Sequence, residues 1–468
     1  MRNSLIALGL AALLAGCTMG PDYTRPQTEV PQQWPGTVIR ASQVDPFWWR
    51  TYDDPVLSSM IDEALAANSD LLLAAARVAE ARALAGLSRA ERLPTIEGQA
   101  DAGRQRQSDE LAVGAPNPVN NYRLAAVLTY ELDLWGRLAR SDEAARATLM
   151  AQESSQDAVR LAVAADVASG YFNLRALDQQ VTVTERTLAA RQESYELQQI
   201  QYNNGVVTEL VLRQAESELA AARAQLPALR QQRALQRNAL AVLLGRTPRS
   251  LVEQEVARGA AIDNLPVPPV VPDYMPSDIL DRRPDIRAVE QQLAAADARI
   301  GVAEANFFPR ISLTASGGTQ SLDLDNLFSS GTGIWSLGGN LVGPIFDFGR
   351  NQANLEATEA RRQQSYIQYE QTVRTAFREV LDALASQQGS SERLTAQDRQ
   401  VAALSRTLDL ARERYEGGYT GYIEVLDAQR ALFQAELDRV LSQRDRLQAS
   451  VDLYKALGGG WTPPERQR

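Results

Sequence analysis

Tyr122-Arg-Leu-Ala-Ala-Val-Leu-Thr-Tyr-Glu-Leu-Asp133 alternates with a period of two. Tyr122, Leu124, Ala126, Leu128, Tyr130 and Leu132 fall on one side and Arg123, Thr129, Glu131 and Asp133 on the other, the pattern of a strand with an apolar and a polar face. Three further segments read the same way. Ile96, Gly98, Ala100 and Ala102 oppose Glu97, Gln99 and Asp101; Ile311, Leu313 and Ala315 oppose Ser312, Thr314 and Ser316; Trp335, Leu337 and Leu341 oppose Ser336 and Asn340. Strands are therefore predicted over 94–104, 121–135, 309–320 and 332–347, each about the 9 to 11 residues, or slightly more, that a tilted strand needs to cross a bilayer. A soluble sandwich would bury the same faces against each other, so alternation alone leaves both readings open. No segment reaches the roughly 18 apolar residues of a membrane helix, so a membrane-spanning form must be a closed barrel. Membrane barrels begin at about eight strands, and four cannot close one; several copies must each contribute a sheet. Gln105 to Asn120 and Gln320 to Gly331 are then the outward-facing loops.

The surroundings of these strands occur twice. Asp70 to Pro94 matches Asp285 to Pro309 at an offset of about 215, and Gly136-Arg137 matches Gly349-Arg350. Tyr202 with Gly205 matches Tyr415 with Gly418, and Leu244-Gly245 matches Leu457-Gly458, all at an offset of 213. A period this long points to a tandem duplication. Each half reads as a helix (Val56 to Arg92, Pro284 to Asn306), two strands, and a proline-free helical stretch (Leu138 to Tyr202, Arg350 to Tyr415). Each long stretch has about 65 residues and about 98 Å of rise. A glycine turn ends it (Asn203-Asn204-Gly205, Gly417-Gly418), and a second helix returns (Leu210 to Leu244, Ile423 to Leu457). Pro227 is expected to kink the first of these. The chain thus divides into residues 1–16, an extended segment 17–55, repeat 1 over 56–250, a linker 251–283, repeat 2 over 284–458 and a tail 459–468. Five prolines between Asn264 and Pro276 mark the linker as extended rather than packed. A long soluble coiled coil would share the helices, but it has no use for four two-faced strands.

Composition narrows the chemistry. Among 468 residues there is no His, and Cys17 is the only cysteine, which excludes imidazole bases, His metal sites, Cys/His dyads and disulfide frameworks. Only five methionines remain as soft metal ligands. No metal site, cofactor or enzymatic role is expected, and no phosphate-binding loop is present to supply energy. With 48 basic against 58 acidic residues the net charge is -10, which argues against a nucleic-acid partner. Met1 to Gly16 carries one charge, Arg2, and the apolar run Leu5 to Leu14, a secretory signal in length and flanks. It closes in Leu14-Ala15-Gly16-Cys17, which resembles a bacterial lipobox and implies lipidation at Cys17. Thr18 follows rather than Asp, which in bacterial lipoproteins implies sorting to the outer membrane.

The motifs Cys17-Thr-Met-Gly-Pro-Asp-Tyr-Thr-Arg-Pro26, Trp48-Trp49 before Asp54-Pro55, and Tyr130-Glu-Leu-Asp-Leu-Trp-Gly-Arg137 follow one another in order. Arg282-Arg-Pro-Asp-Ile-Arg287, Phe346-Asp-Phe-Gly-Arg350, Val425-Leu-Asp-Ala-Gln-Arg430 and Tyr454-Lys-Ala-Leu-Gly-Gly-Gly-Trp461 complete the series. Together they resemble the TolC-like outer membrane factors, specifically the NodT-type efflux lipoproteins, over essentially the whole mature chain. The resemblance implies a mainly α fold with membrane β: a homotrimer with a 12-stranded outer-membrane β-barrel, continued by a 12-helix periplasmic α-barrel with an equatorial α/β region. It implies a passive duct exporting drugs or other small molecules, with a periplasmic adaptor protein, an inner-membrane RND pump and outer-membrane lipid as partners. The family's acidic pair near the closed periplasmic end maps onto Glu424 and Asp427, which a spacing of three puts on one helix face. Threefold symmetry would stack them as two rings; a solvated helix surface is the bland alternative. Gly418-Tyr-Thr-Gly-Tyr422 lacks the aspartate some relatives carry there, so Tyr419 and Tyr422 are candidates for a constriction, with core packing as the alternative. Gly205, Val206, Gly418 and Tyr419 occupy the turns where the family meets its adaptor. A type I protein-secretion duct and a periplasmic coiled-coil adaptor are the rival functions.

Overall fold

In the computed structural model the described residues are 18–34, 40–41, 45–106, 108, 117–267, 271–272 and 276–459. The predicted signal segment 1–16, Cys17, all of 109–116 within the expected outward-facing loop, and the tail from 460 onward lie outside them. Seven helices and four strands of interest follow in chain order: α1 (Pro55–Ala67), α2 (Ser69–Ala90), β1 (Thr95–Gln105), β2 (Val119–Leu132), α3 (Arg137–Asn203), α4 (Glu209–Leu243), α5 (Pro284–Ala305), β3 (Arg310–Ser321), β4 (Gly333–Val342), α6 (Arg350–Glu416) and α7 (Tyr422–Ala456). Lengths match pairwise: α2 and α5 have 22 residues each, α3 and α6 have 67, α4 and α7 have 35.

The helix expected from Val56 to Arg92 is two helices. Asn68 leaves helical geometry (φ -61°, ψ 131°), its Oδ1 accepts from the Asp70 and Leu71 amides, and its Nδ2 donates to the Leu243 carbonyl at 2.8 Å. A capping side chain with a tertiary partner overrides a periodicity that runs on through it. Two strands are shorter than predicted. β2 stops at Leu132 because the Asp133 carboxylate turns to accept the Ala139 amide at 2.7 Å, in the first turn of α3. β4 stops at Val342 because Gly343-Pro344 follows, and proline has no amide for the ladder. Asp347 then serves α6 as Asp133 serves α3, accepting from Asn351 at 3.0 Å. The linker is not wholly extended either: Leu265 is buried in the core, and Val271–Pro272 makes a parallel bridge to Arg40–Ala41. The assigned α4 passes through Pro227 without a break.

Two compact units emerge, each combining matching pieces of both sequence halves. One holds residues 77–153 and 288–370 with the N-terminal segment up to 27, and it contains the whole sheet. There Arg140 binds Asp22 at 2.8 Å and the Met19 carbonyl at 3.0 Å, and Arg25 binds Glu290 at 3.0 Å, which ties the segment after Thr18 to α3 and α5. The other unit holds residues 28–76, 154–287 and 371 onward. Its core gathers Trp48, Tyr52, Leu57, Ile61, Tyr171, Phe172, Leu240, Leu244, Leu447 and Tyr454 from α1, α3, α4, α7 and the turn before α1. Trp48 stacks on Tyr454 at 5.2 Å. Asp54 caps α1 and also takes the Tyr171 hydroxyl at 2.5 Å; burial first, and then this carboxylate, push the phenol's pKa above its usual value.

Candidate functional site

The four strands form one antiparallel sheet in the order β1-β2-β3-β4. Register decides what its faces carry. Ile96 lies opposite Leu128, Leu128 opposite Ala315, and Ala315 opposite Leu337; likewise Leu132, Ile311 and Leu341 align, as do Ala126, Gly317 and Trp335. Directly paired residues point to the same side, so the apolar sets of all four strands fall on one face. Gln99, Arg123, Gln320, Ser316, Ser336 and Asn340 fall on the other. The apolar face is uncovered: Trp335 is 79% and Leu337 76% exposed. Both outer strands, β1 and β4, keep one edge without a partner among the described residues. An unpaired strand edge beside a bare apolar face is a template for pairing with a further strand. Among the described residues no helix is long and apolar enough to cross a membrane.

The turns between long and returning helices form the second feature. At the first, the Val206 amide bonds the Gln201 carbonyl at 2.8 Å and the Gly205 amide bonds Tyr202 at 2.9 Å; at the second, Tyr419 bonds Arg414 at 2.9 Å and Gly418 bonds Tyr415 at 3.0 Å. Both are Schellman closures with a left-handed glycine, Gly205 at φ +71° and Gly418 at φ +73°. Val206 and Tyr419 project outward, Tyr419 being 83% exposed.

Tyr422 falls on the core-packing side of its two readings. It is only 5% exposed, packed with Leu408, Ala411, Val425 and Leu426, its ring 5.4 Å from Tyr415; burial raises its pKa. Tyr419, by contrast, is packed against little and stays exposed. Glu424 and Asp427 are both exposed, while Val425 and Leu426 between them turn to the opposite side of α7 and are buried. Glu424 stands 3.8 Å from Arg414, and Asp427 stands 3.6 Å from Arg430.

Sequence reading missed the charges behind this pair. Arg430 also binds Glu218 of α4 at 2.6 Å, and Glu218 binds Arg191 of α3 at 3.2 Å. Burial pulls the Arg191 pKa below its usual value, against the pull of Glu218. The signal was present: Glu218 interrupts the apolar row Leu212, Ala215, Leu219 and Ala222, where a charge survives only if paired.

The chain matches the family model for outer membrane efflux proteins over residues 60–246 and 275–459. It is 38% identical to the solvent efflux pump outer membrane protein SrpC of Pseudomonas putida over 99% of both chains. It is 37% identical to the cation efflux system protein CusC of Escherichia coli over 98% of both. Among solved structures, the Campylobacter jejuni CmeC outer membrane channel superposes with a TM-score of 0.90 at 25% identity, covering 96% of each chain.

Proposed function

The chain belongs to the outer membrane efflux protein family, and from that premise we propose that three copies form the outer-membrane duct of a tripartite efflux system. The observation that carries this reading is the sheet with one bare apolar face and two open edges. Backbone groups in lipid must all be paired, so the edges have to close on one another. Four strands fall short of the smallest barrels, whereas three copies supply twelve. The apolar face then meets lipid and the polar face lines water. The four long helices of each copy, α3, α4, α6 and α7, continue the conduit as a twelve-helix barrel, and their pairwise equal lengths support descent from a duplicated half. Thr18, the residue after Cys17, lies against Gly136 between β2 and α3, which supports a lipid anchor where the sheet meets the helices.

The duct does no chemistry. An inner-membrane RND pump supplies energy, a periplasmic adaptor meets the turns at Gly205 and Gly418, and cargo is selected upstream. Relatives of nearly equal identity named for solvents and for cations support that division of labour, and their being named for efflux favours small-molecule export over protein secretion. Glu424 and Asp427 form stacked acidic rings at the periplasmic end, with Tyr419 beside them. The test is single-channel recording in planar bilayers. Wild type should show a small, cation-preferring, mostly closed conductance, and Glu424→Ala/Asp427→Ala should enlarge it and weaken the preference. An unchanged variant removes the acidic gate; absence of conductance from folded wild type removes the duct.

A further inference from the structure

A cleft of about 440 Å³ in the second unit lies between α3, α4 and the 255–258 segment. Its walls carry Arg230, Arg233, Arg237 and Arg258 against Asp178 and Glu255. In a chain of net charge -10 this is a locally positive surface. Asp178 is already saturated: Arg175 reaches it at 2.8 Å, Arg258 at 3.2 Å and Arg233 at 3.6 Å. Arg230 turns to Glu185 at 2.7 Å. Arg237 contacts no carboxylate among the described residues; its guanidinium meets only the Asn238 amide oxygen, at 3.4 and 3.2 Å.

Helix stability does not account for this grouping. Arg230, Arg233 and Arg237 are spaced three and four apart, so they share a face of α4, and like charges at these spacings work against a helix. Nor do they serve the helix dipole, whose influence is confined to the last turn, while α4 runs on to Leu243. The guanidinium fork is the side chain best suited to bind carboxylate and phosphate oxygens in pairs, and the cleft's volume is that of a small-molecule site.

We propose that this cleft binds an oxyanion carrying two or more negative charges, on phosphate or carboxylate groups, with Arg237 and Arg233 as its principal contacts. The proposal does not depend on the gating assignment. The test is calorimetric titration of the full-length protein in detergent with pyrophosphate and, separately, citrate. Binding of one ligand per chain that weakens with added salt is expected. Arg237→Gln should weaken it about tenfold, and Arg237→Glu should abolish it. Arg213→Gln, which removes the same charge about 36 Å away along the same helix, should leave it unchanged. Preference for pyrophosphate identifies a phosphate-bearing ligand, and preference for citrate a carboxylate-bearing one. Failure of wild type to bind either probe, or equal weakening by Arg213→Gln and Arg237→Gln, overturns the proposal.

Discussion

Glycine at φ +71° or +73° is a local requirement, since a side chain in the left-handed region costs about 1–2 kcal/mol. At Gly205 and Gly418 nothing lies within 4 Å of where a Cβ would stand, whereas at Gly245 (φ +72°) it would meet the Ala67 carbonyl oxygen at 2.1 Å. The two kinds of glycine should therefore fail differently. Gly205→Val and Gly418→Val should assemble at near-normal yield yet lose drug resistance in a strain that depends on this chain, because the altered tip no longer seats the adaptor. Gly245→Val should lower the yield itself. Normal resistance with either tip variant would remove the docking assignment. Both tip glycines were legible because a turn after a long proline-free helix needs a left-handed cap. The role of Tyr422 was not: a tyrosine at the start of an amphipathic helix reads equally as core or lining until Tyr415 and Leu408 are seen beside it.

At the scale of elements, alternation located all four strands, because a sheet with one uncovered face must keep its period over its whole length. It could not show which strands pair. The β2–β3 pairing joins residues nearly two hundred positions apart, Tyr122 with Ser321, and only register shows that four separately amphipathic strands share one apolar face. Strand ends and the break at Asn68 were lost for a related reason: a carboxylate or amide that caps a helix looks like any other polar residue until its amide partner is known. The sheet supports a paired prediction. Leu337→Arg puts a charge on the proposed lipid face and should cost about 2–4 kcal/mol of barrel stability, seen as lost outer-membrane yield and loss of heat-resistant oligomer on gels. Asn340→Arg, on the polar face, should insert normally. Equal tolerance of both would mean that the apolar face does not meet lipid.

For the whole molecule, the open edges of β1 and β4 carry the claim that matters, and cross-linking tests it directly. Cys17 is the only native cysteine, so pairs can be introduced without background: Gln99→Cys on β1 combined in turn with Ser336→Cys, Gly338→Cys or Asn340→Cys on β4, all on the polar face. Oxidation in outer membranes should, for one pairing, give a covalent ladder that ends at three chains and is lost on reduction. A ladder that stops at two chains, runs past three, or is missing for every pair would contradict a barrel closed by three copies.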